Sequence, residues 1–167
     1  MTTATTSHIR GLERLYASAP INGVFQSRLT LPRAGVSRIA FEVRPDHFHA
    51  AGAAHGTIYF KMLDDAAFYA VNSLVEDVFI LTTAFNLLME RPVPVGPLIA
   101  EGRFLSGRRR LFVGESTLLT LDGEEVARGT GTFMRSSIPL ADLDAYRVGA
   151  EDGGDADTGA DAAGGAV

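Results

Sequence analysis

One stretch constrains this chain more than any other: residues 55–75, HGTIYFKMLDDAAFYAVNSLV, form its single long helical pattern, and that pattern is apolar over most of its surface. A helix that is apolar nearly all round has to be buried. No second helix of similar length is present to cover it. Segments of strand character surround it instead, so the helix must bury itself against a sheet.

The rest of the chain supplies that sheet. Residues 7–18, SHIRGLERLYAS, predict a short first helix, with Ser7 as cap and Ile9, Leu12, Leu15 and Tyr16 on one face. GVFQSRLTL (23–31) and GVSRIAFEV (35–43) read as two extended segments joined by a turn at 32–35. VFILTTAFNLLMER (78–91), rich in apolar and β-branched residues, reads as a buried strand. LIAEGRFLSG, RRLFVGESTLLTL and EEVARGTGTFMRS follow, with turns expected at Ser106-Gly107 and Asp122-Gly123, and these three are expected to be strands of an antiparallel meander. A short helix is expected over 140–147. Strands do not alternate with helices, which argues against a doubly wound parallel sheet. Gly102, Gly129 and Gly131 lack side chains on strand faces, as a sheet that approaches a helix closely requires. The expected class is α+β, a bent antiparallel sheet wrapped around the 55–75 helix.

At 167 residues the chain has room for one real core. Residues 1–20 read as an N-terminal helical segment, 21–148 as the folded domain, and 149–167 as an acidic Gly/Ala/Asp-rich extension, expected to be disordered. That extension holds five acids and no base, so the remaining 148 residues balance 15 acids against 15 bases. A neutral body without a basic stripe excludes an ordinary nucleic-acid module. There is no cysteine, hence no thiol nucleophile and no zinc–thiolate site. The histidines lack metal-ligand spacing, and no metal is expected. Without a signal-like or membrane-spanning run, a cytoplasmic protein is expected.

The helix carries Asp64 and Asp65 amid apolar residues, and a buried carboxylate is costly unless it is paired or employed. The helix start at Gly56 offers unpartnered amides and a partial positive charge, suited to a carbonyl oxygen on which negative charge develops. Eight residues separate Gly56 from Asp64, about 12 Å along the axis. One chain therefore cannot bring both to one reacting carbon. If they cooperate, a second copy supplies the other half across a twofold axis.

Residues 49–65, HAAGAAHGTIYFKMLDD, resemble the signature of the hotdog-fold thioesterases, in particular the PaaI-like, acyl-CoA thioesterase 13-like branch. Gly52, His55, Gly56 and Asp64 match that signature in place. Asn86, the following LLMERPVPVGPLIAEGRFLSGRRRLFVGE, and a strand ending GTGTFM extend the resemblance over residues 20–135. It implies a hotdog fold, a homodimer or dimer of dimers, and hydrolysis of an acyl-CoA thioester, with CoA as part of the substrate and no separate cofactor. It further implies that the Gly56 amide polarises the carbonyl, that Asp64 of a neighbouring subunit acts as base or nucleophile, that Thr82 orients the water, and that His55 braces the loop. His49 stands where the family usually has Asn, Thr57 stands for the second Gly of His-Gly-Gly, and Asp65 adds a carboxylate with an expected structural role, solvated or ion-paired. Arg108, Arg109 and Arg110 fall where the family places the nucleotide end of CoA; Arg91 and Asn86 are further substrate-side candidates. Tyr59, Met62 and Phe68 are candidates to line an acyl or aryl pocket, or else core. Two rival readings are a hotdog hydratase or dehydratase, which requires His49 to face Asp64 of the partner, and a non-catalytic acyl-CoA binder.

Overall fold

The computed structural model describes residues 5–147; the acidic extension from 149 onward lies outside them. In chain order they form α1 (Thr6–Ser18), α2 (Pro20–Phe25), β1 (Arg28–Arg33), β2 (Val36–Val43), α3 (Gly56–Asn72), β3 (Val78–Met89), β4 (Gly96–Arg108), β5 (Leu111–Thr120), β6 (Glu125–Pro139) and α4 (Asp144–Arg147). The six strands make one antiparallel sheet in the order β1-β2-β4-β5-β6-β3. All six touch α3, so the sheet has to curve around that helix. The expected α+β architecture, a curved antiparallel sheet around one long helix, is what the chain adopts.

Packing explains why α3 sits so tightly. Met62, Leu63, Ala66, Ala67, Ala70 and Val71 have no solvent exposure. Gly102 on β4 faces the helix, and a Cβ there would collide with the Ala66 carbonyl. At Gly114 on β5 a Cβ would lie 2.9 Å from Val71 Cγ2 and 3.1 Å from the Ala67 oxygen. Two buried sheet serines reach up to the helix: Ser37 Oγ donates to the Ala66 carbonyl (2.5 Å) and Ser116 Oγ to the Leu63 carbonyl (2.7 Å). Both hydroxyls are thereby satisfied in an apolar layer. Leu12 and Tyr16 of α1 are buried in the same core. His8, also buried, ties α1 to the end of α3 and to α4, with Nε2 on the Asn72 carbonyl (3.0 Å) and Nδ1 on the Tyr146 hydroxyl (2.7 Å).

Several local expectations are corrected. Gly23–Phe25 are helical, the end of α2, because Pro20 opens that turn with φ preset and Gln26 closes it at φ 53°. Pro32 lies inside β1, which it can do because β1 is an edge strand with a register break between Thr30 and Arg33; the turn is Ala34-Gly35. The β4–β5 turn is Arg109-Arg110, with Arg109 at φ 61°, and Ser106-Gly107 belong to β4. Gly107 is there because Phe112 crosses it too closely for a Cβ. Gly129 and Gly131 make room for the Phe85 ring of the neighbouring strand, which meets Phe60 of α3 edge-on at 5.8 Å. The expected meander is the one that β4, β5 and β6 form, while β3 lies at the far edge, paired with β6. It is not the buried strand its composition suggests: Leu81, Leu88 and Met89 are about half exposed.

Candidate active site

Asp64 and Thr82 meet across the gap between α3 and β3. The Thr82 hydroxyl donates to Asp64 Oδ1 at 3.0 Å, with Oδ2 at 3.3 Å. Their alignment is set upstream, where α3 turns into β3. There the buried Asn72 side chain donates to the Val75 and Val78 carbonyls (3.0 and 3.2 Å) and accepts from the Ile80 amide (3.3 Å). Ile80 and Thr82 alternate with Leu81, so once Ile80 is fixed inward Thr82 also faces the helix.

The Asp64 carboxyl opens into a cleft of about 350 Å³. Phe68, Phe79, Leu81 and Ile21 form its apolar walls, and Lys61 and Asn22 add polar groups. Burial pushes the Asp64 pKa up to about 6, and neighbouring Asp65 pushes the same way, while the Thr82 hydrogen bond and Lys61 pull it down. A carboxyl tuned there can take a proton from water near neutral pH.

Asp65 also lines this cleft, but its carboxylate is already engaged. It pairs with Lys61, one turn earlier, and both side chains are largely buried. The Lys61 ammonium also donates to Asn22 Oδ1 (2.7 Å) and lies 5.4 Å from the Tyr16 ring centroid. Burial raises the Asp65 pKa and Lys61 opposes that rise. Of the two structural roles expected for Asp65, solvated or ion-paired, this is the ion-paired one. Its i,i+4 spacing from Lys61 signals the pair in the sequence; the contributions of Asn22, Tyr16, Ile21, Phe79 and Leu81 carry no such signal, because only the fold brings them there.

At the helix start, His55 is the N-cap. Its Nδ1 accepts from the Thr57 amide (3.1 Å) and lies 3.0 Å from the Thr57 hydroxyl, and its own amide donates to the His47 carbonyl (2.9 Å). The Gly56 N–H has no partner among the described residues, and the Met89 sulfur lies 3.5 Å from where a Gly56 Cβ would stand. His49 is exposed; its Nδ1 accepts from the Ala51 amide (3.0 Å). His47, which the spacing did not single out, is buried, and its Nδ1 accepts from the Arg44 amide (3.2 Å).

The remaining candidates are dispersed. Asn86 pairs with Thr130 on the sheet face opposite to Thr82, and is exposed. Tyr59 is buried; its hydroxyl donates to the Arg91 carbonyl (3.1 Å) and accepts from the Val93 amide (2.9 Å). The Arg91 side chain is ion-paired with Glu124 at 3.0 Å. Arg108, Arg109 and Arg110 cluster at the β4–β5 turn, away from the Asp64 cleft lining. Met62 is core, and Phe68 both packs in the core and walls the cleft. No three His, Asp or Glu side chains among the described residues converge as a metal site would need, and no described helix is long and apolar enough to cross a membrane.

Residues 51–127 match the family model described as the thioesterase superfamily. A protein of Saccharolobus solfataricus that carries an esterase name is 27% identical over 100 residues, covering 60% of this chain and 67% of that protein. Among solved structures, the PaaI protein of the E. coli phenylacetic acid degradation operon aligns with a TM-score of 0.75 at 17% identity, over 81% of this chain and 98% of that one. A thioesterase family protein from Silicibacter pomeroyi gives 0.71 at 24%, over 76% and 96%. A variant of the phenylacetic acid degradation protein PaaI from Thermus thermophilus gives 0.64 at 25%, over 71% and 100%. These likenesses share the curved sheet and central helix built above. The thioesterase superfamily match runs from the loop before Gly56 through Asp64 and Thr82 into β6, and the chain has the hotdog fold that PaaI proteins share.

Proposed function

We propose that this chain hydrolyses acyl-CoA thioesters and does so as a homodimer or a dimer of dimers. The observation that carries the reading is Asp64: a carboxyl with its pKa raised to about 6, held by Thr82 and open to an apolar cleft. In the proposed reaction, water attacks the thioester carbon and Asp64 takes its proton. The carbonyl oxygen becomes negative and is met by the Gly56 N–H at the start of α3 in the partner chain. The C–S bond then breaks, the acid is released, and Asp64 returns the proton to the departing thiolate.

Two chains are needed because Gly56 and Asp64 stand about 12 Å apart on one straight helix. The exposed β3 edge supports the same reading. It is a long strand with one unpaired side and half-exposed Leu81, Leu88 and Met89, a surface that a second copy would cover.

The test is thiol release from a panel of short, long and aryl acyl-CoAs, with wild type beside Asp64→Asn. Release by the wild type, lost by a folded variant, supports hydrolysis and identifies the acyl class. Binding of acyl-CoAs without release by either protein would replace this reading with that of a binder.

A further inference from the structure

We infer a second ligand site, separate from the Asp64 cleft, in which arginines of α1 and β1 bind a phosphorylated small molecule. Arg10 and Arg14 are four residues apart and share one face of α1. Like charges at that spacing work against a helix. Across from them stands Arg28, the first residue of β1. The three arginines line a cleft of about 470 Å³, larger than the one beside Asp64, floored by Tyr16, Ser27 and Leu29.

The cleft is positive and partly preorganised. Arg14 is tethered by its far edge: Nε donates to the Ala145 carbonyl (3.3 Å) and Nη2 to the Tyr146 carbonyl (2.8 Å). Its Nη1 donors remain for a ligand. Arg28 has no carboxylate partner among the described residues. One carboxylate, Glu13, lines the cleft. Its Oε1 accepts from the Leu31 amide (2.8 Å), and its Oε2 is 3.7 Å from Arg10 Nη1. Three cations against one anion leave a local excess of two charges. Guanidinium forks match phosphate oxygens two at a time, and an excess of this size suits a doubly charged phosphate or a diphosphate better than a single carboxylate. Ser27 Oγ, 2.6 Å from the Tyr16 hydroxyl, adds a fixed hydroxyl at the cleft floor.

The phosphate has two candidate sources, the nucleotide end of a CoA thioester or a separate phosphorylated metabolite. The first rests on the proposed hydrolysis; the second does not. The experiment is calorimetric titration of the full chain with inorganic pyrophosphate and with adenosine 3′,5′-bisphosphate at low salt, using wild type and the double variant Arg10→Gln/Arg28→Gln. Both replaced side chains are exposed, so folding is retained, which circular dichroism checks. Wild type is expected to bind, more weakly as salt rises, and the double variant at least tenfold more weakly. No binding, or equal binding by both proteins, overturns the site. Binding that appears only after the five acids of residues 151–161 are neutralised also overturns it, since the arginines would then serve that acidic segment. Steady-state kinetics separate the sources. A KM raised for acyl-CoA but not for the matching acyl-pantetheine assigns the site to the CoA nucleotide. Unchanged KM values beside weakened pyrophosphate binding assign it to a separate ligand. If wild type releases no thiol at all, the hydrolytic reading fails while the titration still decides the phosphate site.

Discussion

Replacing Asp64 by Asn should make the protein more stable as it makes it inactive. The folded state lifts the pKa of this carboxyl from 3.8 to about 6. A tenfold change in proton affinity is worth about 1.4 kcal/mol, so holding the ionised form costs the fold about 3 kcal/mol at most. Asp64 faces a cleft and keeps some solvent, which reduces the expected gain in the variant to about 1–3 kcal/mol. An Asn can still accept from the Thr82 hydroxyl, and it no longer repels Asp65. The pH dependence follows from proton counting. Between about pH 4 and 6 the folded state binds more protons at this site than the unfolded state, so wild-type stability falls as pH rises through that window. Above about 6 the full penalty is present; below about 4 both proteins carry a neutral group and the difference disappears. Urea unfolding of both proteins from pH 4 to pH 8, at one protein concentration because association shifts apparent stability, measures this directly. Thermal midpoints should separate by roughly 2–4 °C per kcal/mol at the alkaline end. A variant that is no more stable than wild type at pH 8, or a gap that does not change with pH, would refute the assignment of a desolvated carboxyl at position 64.

Three other outcomes follow from the same site and its packing. Thr82→Val removes the hydroxyl that favours the ionised carboxylate, so the acidic limb of the pH–rate profile should move above about 6 and the rate near neutrality should fall; an unmoved limb would mean that the hydrogen bond is not felt by the base. Gly102→Ala places a methyl against the Ala66 carbonyl, backbone that cannot yield, and should cost about 1–3 kcal/mol or more in urea unfolding. Leu88→Glu puts a charge on the open side of β3 and should shift the protein toward monomers in light scattering, with loss of thiol release; an intact, active oligomer would show that this edge is not the joint.

Legibility of the fold tracked burial. The α3 pattern could be read because the helix is enclosed by all six strands, so almost every position had to be apolar. β3 misled for a related reason: its apolar residues on the open side look like core residues in a sequence, although in one chain they face outward. Gly107 looked like turn punctuation because a glycine required by Phe112 packing is indistinguishable, in a string of letters, from one required by a positive φ. Gly23, Val24 and Phe25 have strand composition, and it was Pro20 at the head of α2 and the left-handed Gln26 at its foot that decided for a helix. In the candidate site, Asp64 and Gly56 were legible because local helix geometry relates them, and His55 and Thr82 through the family resemblance. Lys61, Asn22 and Tyr16 were not assembled, since the charge cluster joins residues 39 or more positions apart along the chain.

The spacing of Gly56 and Asp64 on α3 has a consequence for inheritance. If each reaction centre takes its acid from one chain and its amide from another, a defect is a property of a pairing rather than of a polypeptide. A chain lacking the Asp64 carboxyl and a chain blocked at Gly56 would each be dead with its own kind. Paired with each other, they would place both lesions in one centre and leave the second centre whole. Two silent alleles would then complement.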